Sequence, residues 1–84
     1  MISEFQTRLD QAKVAAKDYW VNTQYTQFNP TRATEARERI DALVGEWCQP
    51  DAIPFDCAAT ATRGFGGEVW TLPIVIVDIM QNGL

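Results

Sequence analysis

The chain has 84 residues and a mass of 9.5 kDa, with 46% hydrophobic and 21% charged side chains, which fits a single small domain over 1–84 and excludes a two-domain architecture. Seven basic against eleven acidic residues give a net charge of −4, a surface that repels phosphate and argues against nucleic acid or an anionic membrane as a direct partner. Histidine is absent, so the side chain most used for proton transfer and for catalytic zinc is missing.

The remaining nucleophiles fare no better. Ser3 is the only serine, and neither it nor Cys48 or Cys57 has an imidazole to activate it. A phosphopantetheine carrier suits the size and acidity but needs a serine opening a helix inside the domain, which Ser3 does not supply. The longest apolar run, Ile74 to Val77, is far short of the roughly 18 to 20 residues of a membrane span, and the first residues lack a signal-peptide core. These features lead us to expect a cytoplasmic protein without cofactors or metal.

Helical spacing appears first. Ile2, Phe5, Leu9, Ala12, Ala16 and Tyr19 recur every three or four residues, the seam of a helix over about 3–21. Glu4 with Arg8 and Asp10 with Lys13 stand at pairing distance on its solvated face. Residues 22–29 lose the period and read as a connector. Asn29 and Pro30 then supply a start signal: asparagine caps free amides, and proline is tolerated in the first turn. Ala33, Ala36, Ile40, Leu43, Val44 and Trp47 form a second seam, with Glu35 and Arg39 four apart, predicting a helix over about 30–48. Two such helices on a short connector predict an antiparallel hairpin, and their alanine-rich seams leave it a weak core that something else must cover.

The pattern changes at Pro50. Residues 49–56 read as a loop, and Cys57 to Arg63 has the small and β-branched content of a short strand. Gly64 to Gly67 make a turn, and Glu68 to Met80 carries the strongest strand signal, interrupted at Pro73. A β-hairpin over about 57–80 follows, and the fold class is α+β in the order ααββ. Because the first strand is the shorter, Ile74 to Ile79 is left without a partner inside the chain, so the sheet is expected to be completed by a second chain. Folding across its own helices to pair with the connector near Tyr25 is the alternative.

Other features have ordinary explanations. The Arg63–Gly67 segment lacks the lysine and hydroxyl of a phosphate loop and reads as a hairpin turn, with Phe65 at its tip as a contact candidate. Cys48 and Cys57 flank the loop and are expected as reduced thiols in a cytosolic protein, a disulfide being the alternative; two thiols are too few for structural zinc. Asp51, Asp56, Glu68 and Asp78 make the C-terminal part acidic and are expected to be solvated, with Asp78 guarding an otherwise apolar strand. Trp47 and Trp70 are expected in the core, and Trp20, one position off the first seam, nearer a surface.

The expected function is a non-catalytic interaction protein, a small oligomer or adaptor assembling through its C-terminal strand. Ile74, Val75, Ile76, Val77, Asp78 and Ile79 form the expected contact surface, assisted by Phe65 and Trp20. Its partner is a second copy or another protein. A small acidic inhibitor, phage-encoded or antitoxin-like, that blocks the basic or substrate site of a target is the second reading, and an enzyme or its accessory subunit the third.

Overall fold

The computed structural model describes residues 4–48, 57–61 and 69–83. Residues 49–56, read above as a loop, and 62–68, which include Phe65 and the expected turn at Gly64 to Gly67, lie outside the described residues. Helix α1 (Glu4–Asn22) leads through a 3-10 turn (Tyr25–Gln27) to helix α2 (Pro30–Val44) and a second 3-10 turn (Gly45–Cys48); strands β1 (Cys57–Ala61) and β2 (Val69–Pro73) follow, then helix α3 (Ile74–Asn82). The fold is α+β, a helical hairpin followed by a β-hairpin, as the sequence patterns predict.

The two long helices run antiparallel. Arg8, near the start of α1, donates from Nε and Nη2 to the Leu43 carbonyl at the end of α2, at 2.9 and 2.6 Å, and its guanidinium also pairs with the Glu46 carboxylate. A cation there satisfies one of the helix's last free carbonyls and opposes its negative end. At the other end of the pair, the Asn29 amide donates to the Asn22 carbonyl at 2.8 Å. The predicted cap of α2 is present: the Asn29 side chain accepts from the Arg32 amide at 3.1 Å, with Pro30 in the first turn. The predicted surface pairs on α1 do not form, because Arg8 turns to α2 and Asp10 accepts instead from the Gln6 side chain at 2.9 Å.

Alanine sets the spacing of α1 and α2. Ala12, Ala15, Ala16 and Tyr19 of α1 and Ala33, Ala36, Ile40 and Val44 of α2 are buried. Small side chains let the backbones approach but remove little apolar area from water per residue. The missing area comes from Leu72 of β2 and from Ile76, Val77, Ile79 and Met80 of α3, which packs on α1 and on both strands. Strands β1 and β2 pair antiparallel, with Cys57 opposite Pro73 and Ala61 opposite Val69.

Residues 74–82 correct the sequence reading: they form a helix, and the second strand stops at Pro73. The buried positions 76, 77, 79 and 80 share one helical face, while Ile74, Asp78, Gln81 and Asn82 face solvent at helical spacing. Pro73 stands just outside the N-terminus, and Gly83 closes the C-terminus at φ 73°, its amide donating to the Ile79 carbonyl at 2.8 Å. Five β-branched residues in α3 cost about 2–3 kcal/mol of intrinsic propensity relative to alanine. Burying Ile76, Val77, Ile79 and Met80 returns about 1.5–3 kcal/mol each, so packing decides the conformation against local preference. Neither the intermolecular strand nor pairing with the connector near Tyr25 survives.

The cysteines also correct the sequence reading. Cys48 and Cys57 form a disulfide with Cα atoms 6.0 Å apart, joining the turn after α2 to the start of β1. The 3-10 turn and β1 bring the two thiols together, a tertiary approach that their spacing in sequence does not reveal.

Candidate functional site

The expected contact surface is largely interior. Ile76, Val77 and Ile79 are buried against α1 and the sheet, Val75 is half-buried, and only Ile74 and Asp78 are exposed. Trp20 is half-buried and stands outside the core cluster that Trp47 and Trp70 pack against, and a Cβ on Gly83 would fall 2.6 Å from its ring. It is the wall on which the end of α3 closes. Phe65 is outside the described residues, so its role at the turn receives no structural test.

Arginines organise the other tryptophans. Phe5 stacks on Trp47 with ring centroids 4.5 Å apart, and Arg8 lies 5.3 Å from the Trp47 ring on its way to Leu43. Arg37 sits 4.3 Å over Trp70, whose ring meets Tyr19 edge-on at 6.0 Å. Both tryptophans are half-buried against the core, as expected. Burial pushes the Tyr19 phenol above its ordinary pKa, and the Arg37 charge draws it partway back. The Arg37–Trp70 contact fastens α2 to β2 and the Arg8–Trp47 contact fastens α1 to the turn after α2, cation–π contacts worth about 0.5–2 kcal/mol each.

The chemistry available for catalysis is sparse. Both sulfurs are committed to the disulfide, so neither offers a thiolate. Among the described residues no three His, Cys, Asp or Glu side chains converge to hold a metal ion. No described helix is long and apolar enough to cross a membrane.

What the molecule does present is a groove along the outer side of the α1–α2 pair. One part has a volume of about 370 Å³ between Val14, Ala15 and Asp18 of α1 and Arg32, Glu35, Ala36 and Arg39 of α2. It continues past Val14 and Arg39 into a shallower stretch edged by Gln11 and Leu43. Val14 is 72% exposed at the centre of this groove, an apolar side chain on the face opposite the core. The groove exists because Ala15 and Ala36 bury little bulk between the helices, leaving a trough flanked by longer side chains. Asp18, Glu35, Arg32 and Arg39 carry balanced charge along it, and Glu35 and Arg39 do not pair with each other despite their helical spacing.

None of these groove residues stands out in the sequence as a site. The one available signal is that Val14 breaks the polar face of α1, three positions before Lys17 and one after Lys13. At the hairpin tip, Tyr25 is 99% exposed. No protein-family model, curated protein or solved structure matches this chain.

Proposed function

We propose that the protein is a non-catalytic protein-binding module whose contact surface is the outer groove of the α1–α2 pair. The observation that carries this reading is Val14, exposed in a concave trough whose flanking charges have no ion-pair partner among the described residues. Apolar centres with charged rims are the usual anatomy of protein contact surfaces. The C-terminal segment enters the proposal only as support, because α3 holds α1 from the opposite side and so fixes the shape of the trough.

The inhibitor reading ranks second. Three of the four carboxylates that make the C-terminal part acidic, Asp51, Asp56 and Glu68, lie outside the described residues, and Asp78 stands exposed on α3. The disulfide changes the proposed location. Structural disulfides persist in oxidising environments, so we place the working protein in a disulfide-permissive setting rather than the expected cytoplasm.

The test is a photo-crosslinking side chain placed at Gln11 in the cells that make the protein. The expected result is a discrete protein adduct, either to itself or to another protein, that disappears when Val14→Glu is added. Adducts indifferent to Val14, or none at all, would overturn the reading.

A further inference from the structure

We infer that Asn82–Gly83 is a self-modifying site, at which the Gly83 amide attacks the Asn82 side chain and converts it to a carboxylate, at a rate set by opening of the last turn of α3. The chain has three asparagines, and their surroundings separate them. Asn29 precedes Pro30, whose nitrogen carries no proton to give up. Asn22 is buried and precedes the β-branched Thr23, and its side-chain amide donates to the Asp18 carbonyl and carboxylate at 2.8 and 3.2 Å. Asn82 is exposed at the end of α3, and its side chain makes no hydrogen bond among the described residues. The residue after it is a glycine, with no Cβ to shield the backbone nitrogen.

Water is the only co-reactant the chemistry needs. The Gly83 nitrogen gives its proton to solvent and bonds to Cγ of Asn82; the Cγ–Nδ2 bond breaks, ammonia leaves with a proton from solvent, and a cyclic imide remains. Water then opens the imide at either carbonyl. One product is aspartate at position 82, and the other is isoaspartate, in which the main chain runs through the side-chain carbons. Nothing is oxidised or reduced.

The fold restrains the first step. Ring closure swings the Gly83 nitrogen out of its helical setting toward Cγ, whereas in the structure that nitrogen donates to the Ile79 carbonyl at 2.8 Å, with Gly83 at φ 73°. Gly83 also lies against the Trp20 ring, close enough that a Cβ would stand 2.6 Å from it. Attack therefore waits until the cap bond breaks and the end of α3 leaves Trp20, a local opening rather than global unfolding. The product acts back on this gate. Either form adds a negative charge beside the last free carbonyls of α3, at the negative end of its dipole. Isoaspartate also inserts a methylene into the main chain before Gly83, which moves the capping amide away from the Ile79 carbonyl. Each change weakens the closure of α3 over Trp20.

The experiment is ageing of the oxidised protein at mildly alkaline pH, folded in buffer and unfolded in guanidinium chloride, read by peptide mass mapping and by labelling with an isoaspartyl methyltransferase. In denaturant, conversion is expected at Asn82 ahead of Asn22 and Asn29; no conversion at Asn82, or equal conversion at Asn22, would overturn the site. In native buffer the rate at Asn82 is expected to be at least about tenfold lower, and equal rates in the two conditions would overturn the gate. Trp20→Leu with its helical circular dichroism retained should convert faster than wild type in native buffer, and an unchanged rate would overturn the part given to Trp20. The aged protein, separated by its added charge, should unfold at lower urea than fresh protein; coincident curves would overturn the effect on α3. These readouts involve neither the groove nor a partner, so they stand or fall apart from the binding proposal.

Discussion

Removing the disulfide is the perturbation with the largest calculable effect. The bonded cysteines are nine positions apart, and the chain-entropy relation for a loop of that length gives about 2.6 kcal/mol at 25 °C. A chain of this size has only about 4–12 kcal/mol of total stability, so the cross-link is a large share of it. The structure gives the bond a second role: it ties the turn after α2 to β1, and β1 holds β2, which delivers Leu72 to the core. The matched experiment is urea unfolding by tryptophan fluorescence for the oxidised protein, the reduced protein and a Cys48→Ala/Cys57→Ala variant. The midpoint should fall by the equivalent of about 2–3 kcal/mol in both altered forms, with retention of helical circular dichroism at zero urea. A loss below about 0.5 kcal/mol would refute the reasoning, since it would mean that the unfolded chain gains no freedom when the loop opens.

Three other outcomes follow from the packing. Gly83→Ala combines a positive φ with a Cβ inside contact distance of Trp20, and should cost about 2–4 kcal/mol; in a Trp20→Leu background the cost should fall to about 1 kcal/mol, and equal costs in both backgrounds would exclude the ring contact. Ile76→Ala and Val77→Ala should both destabilise, by about 2–4 and 1–2.5 kcal/mol, whereas Ile74→Ala should change stability by under about 1 kcal/mol; Ile74 and Ile76 share one face in a strand, so their unequal costs separate a helix from a strand, and thermal melts of the three variants read the pattern directly. Tyr19 has a raised folded-state pKa, so the unfolded chain releases that proton first, and the group's contribution is present below pH 10 and lost as pH climbs above it; Tyr19→Phe should flatten this alkaline decline in urea midpoint, and an unchanged slope would remove the buried-phenol argument.

Much of the helical pair is legible in the residues themselves. The seams of α1 and α2 combine a strong 3.6-residue period with the Asn29–Pro30 start, signals that are local and agree with the final packing. The first strand and its pairing with the residues before Pro73 are legible for similar reasons. Residues 74–79 mislead because isoleucine and valine favour extended backbone, and that preference outweighs the quieter helical marks beside them: Pro73 before, Gly83 after, and Asp78 with Gln81 and Asn82 on one face. Only the surface offered by α1 and the sheet, a long-range property, reverses that preference. The groove is illegible for a different reason. Val14, Asp18 and Arg39 are ordinary residues on helix exteriors, and what joins them is the approach of two helices allowed by alanines elsewhere.

The conformational conflict in α3 also reaches beyond the native state. A chain that has lost its tertiary contacts carries Ile74 to Ile79 as an apolar, β-favouring window with Asp78 as its single charge, the composition that seeds intermolecular sheets. In the folded protein Asp78 faces water on α3. Its value lies in the unfolded ensemble, where it interrupts stacking of identical segments. Solubility is therefore governed by how long the core stays open rather than by the native surface, and replacing Asp78 with valine would leave melting nearly unchanged while making every unfolding event harder to reverse.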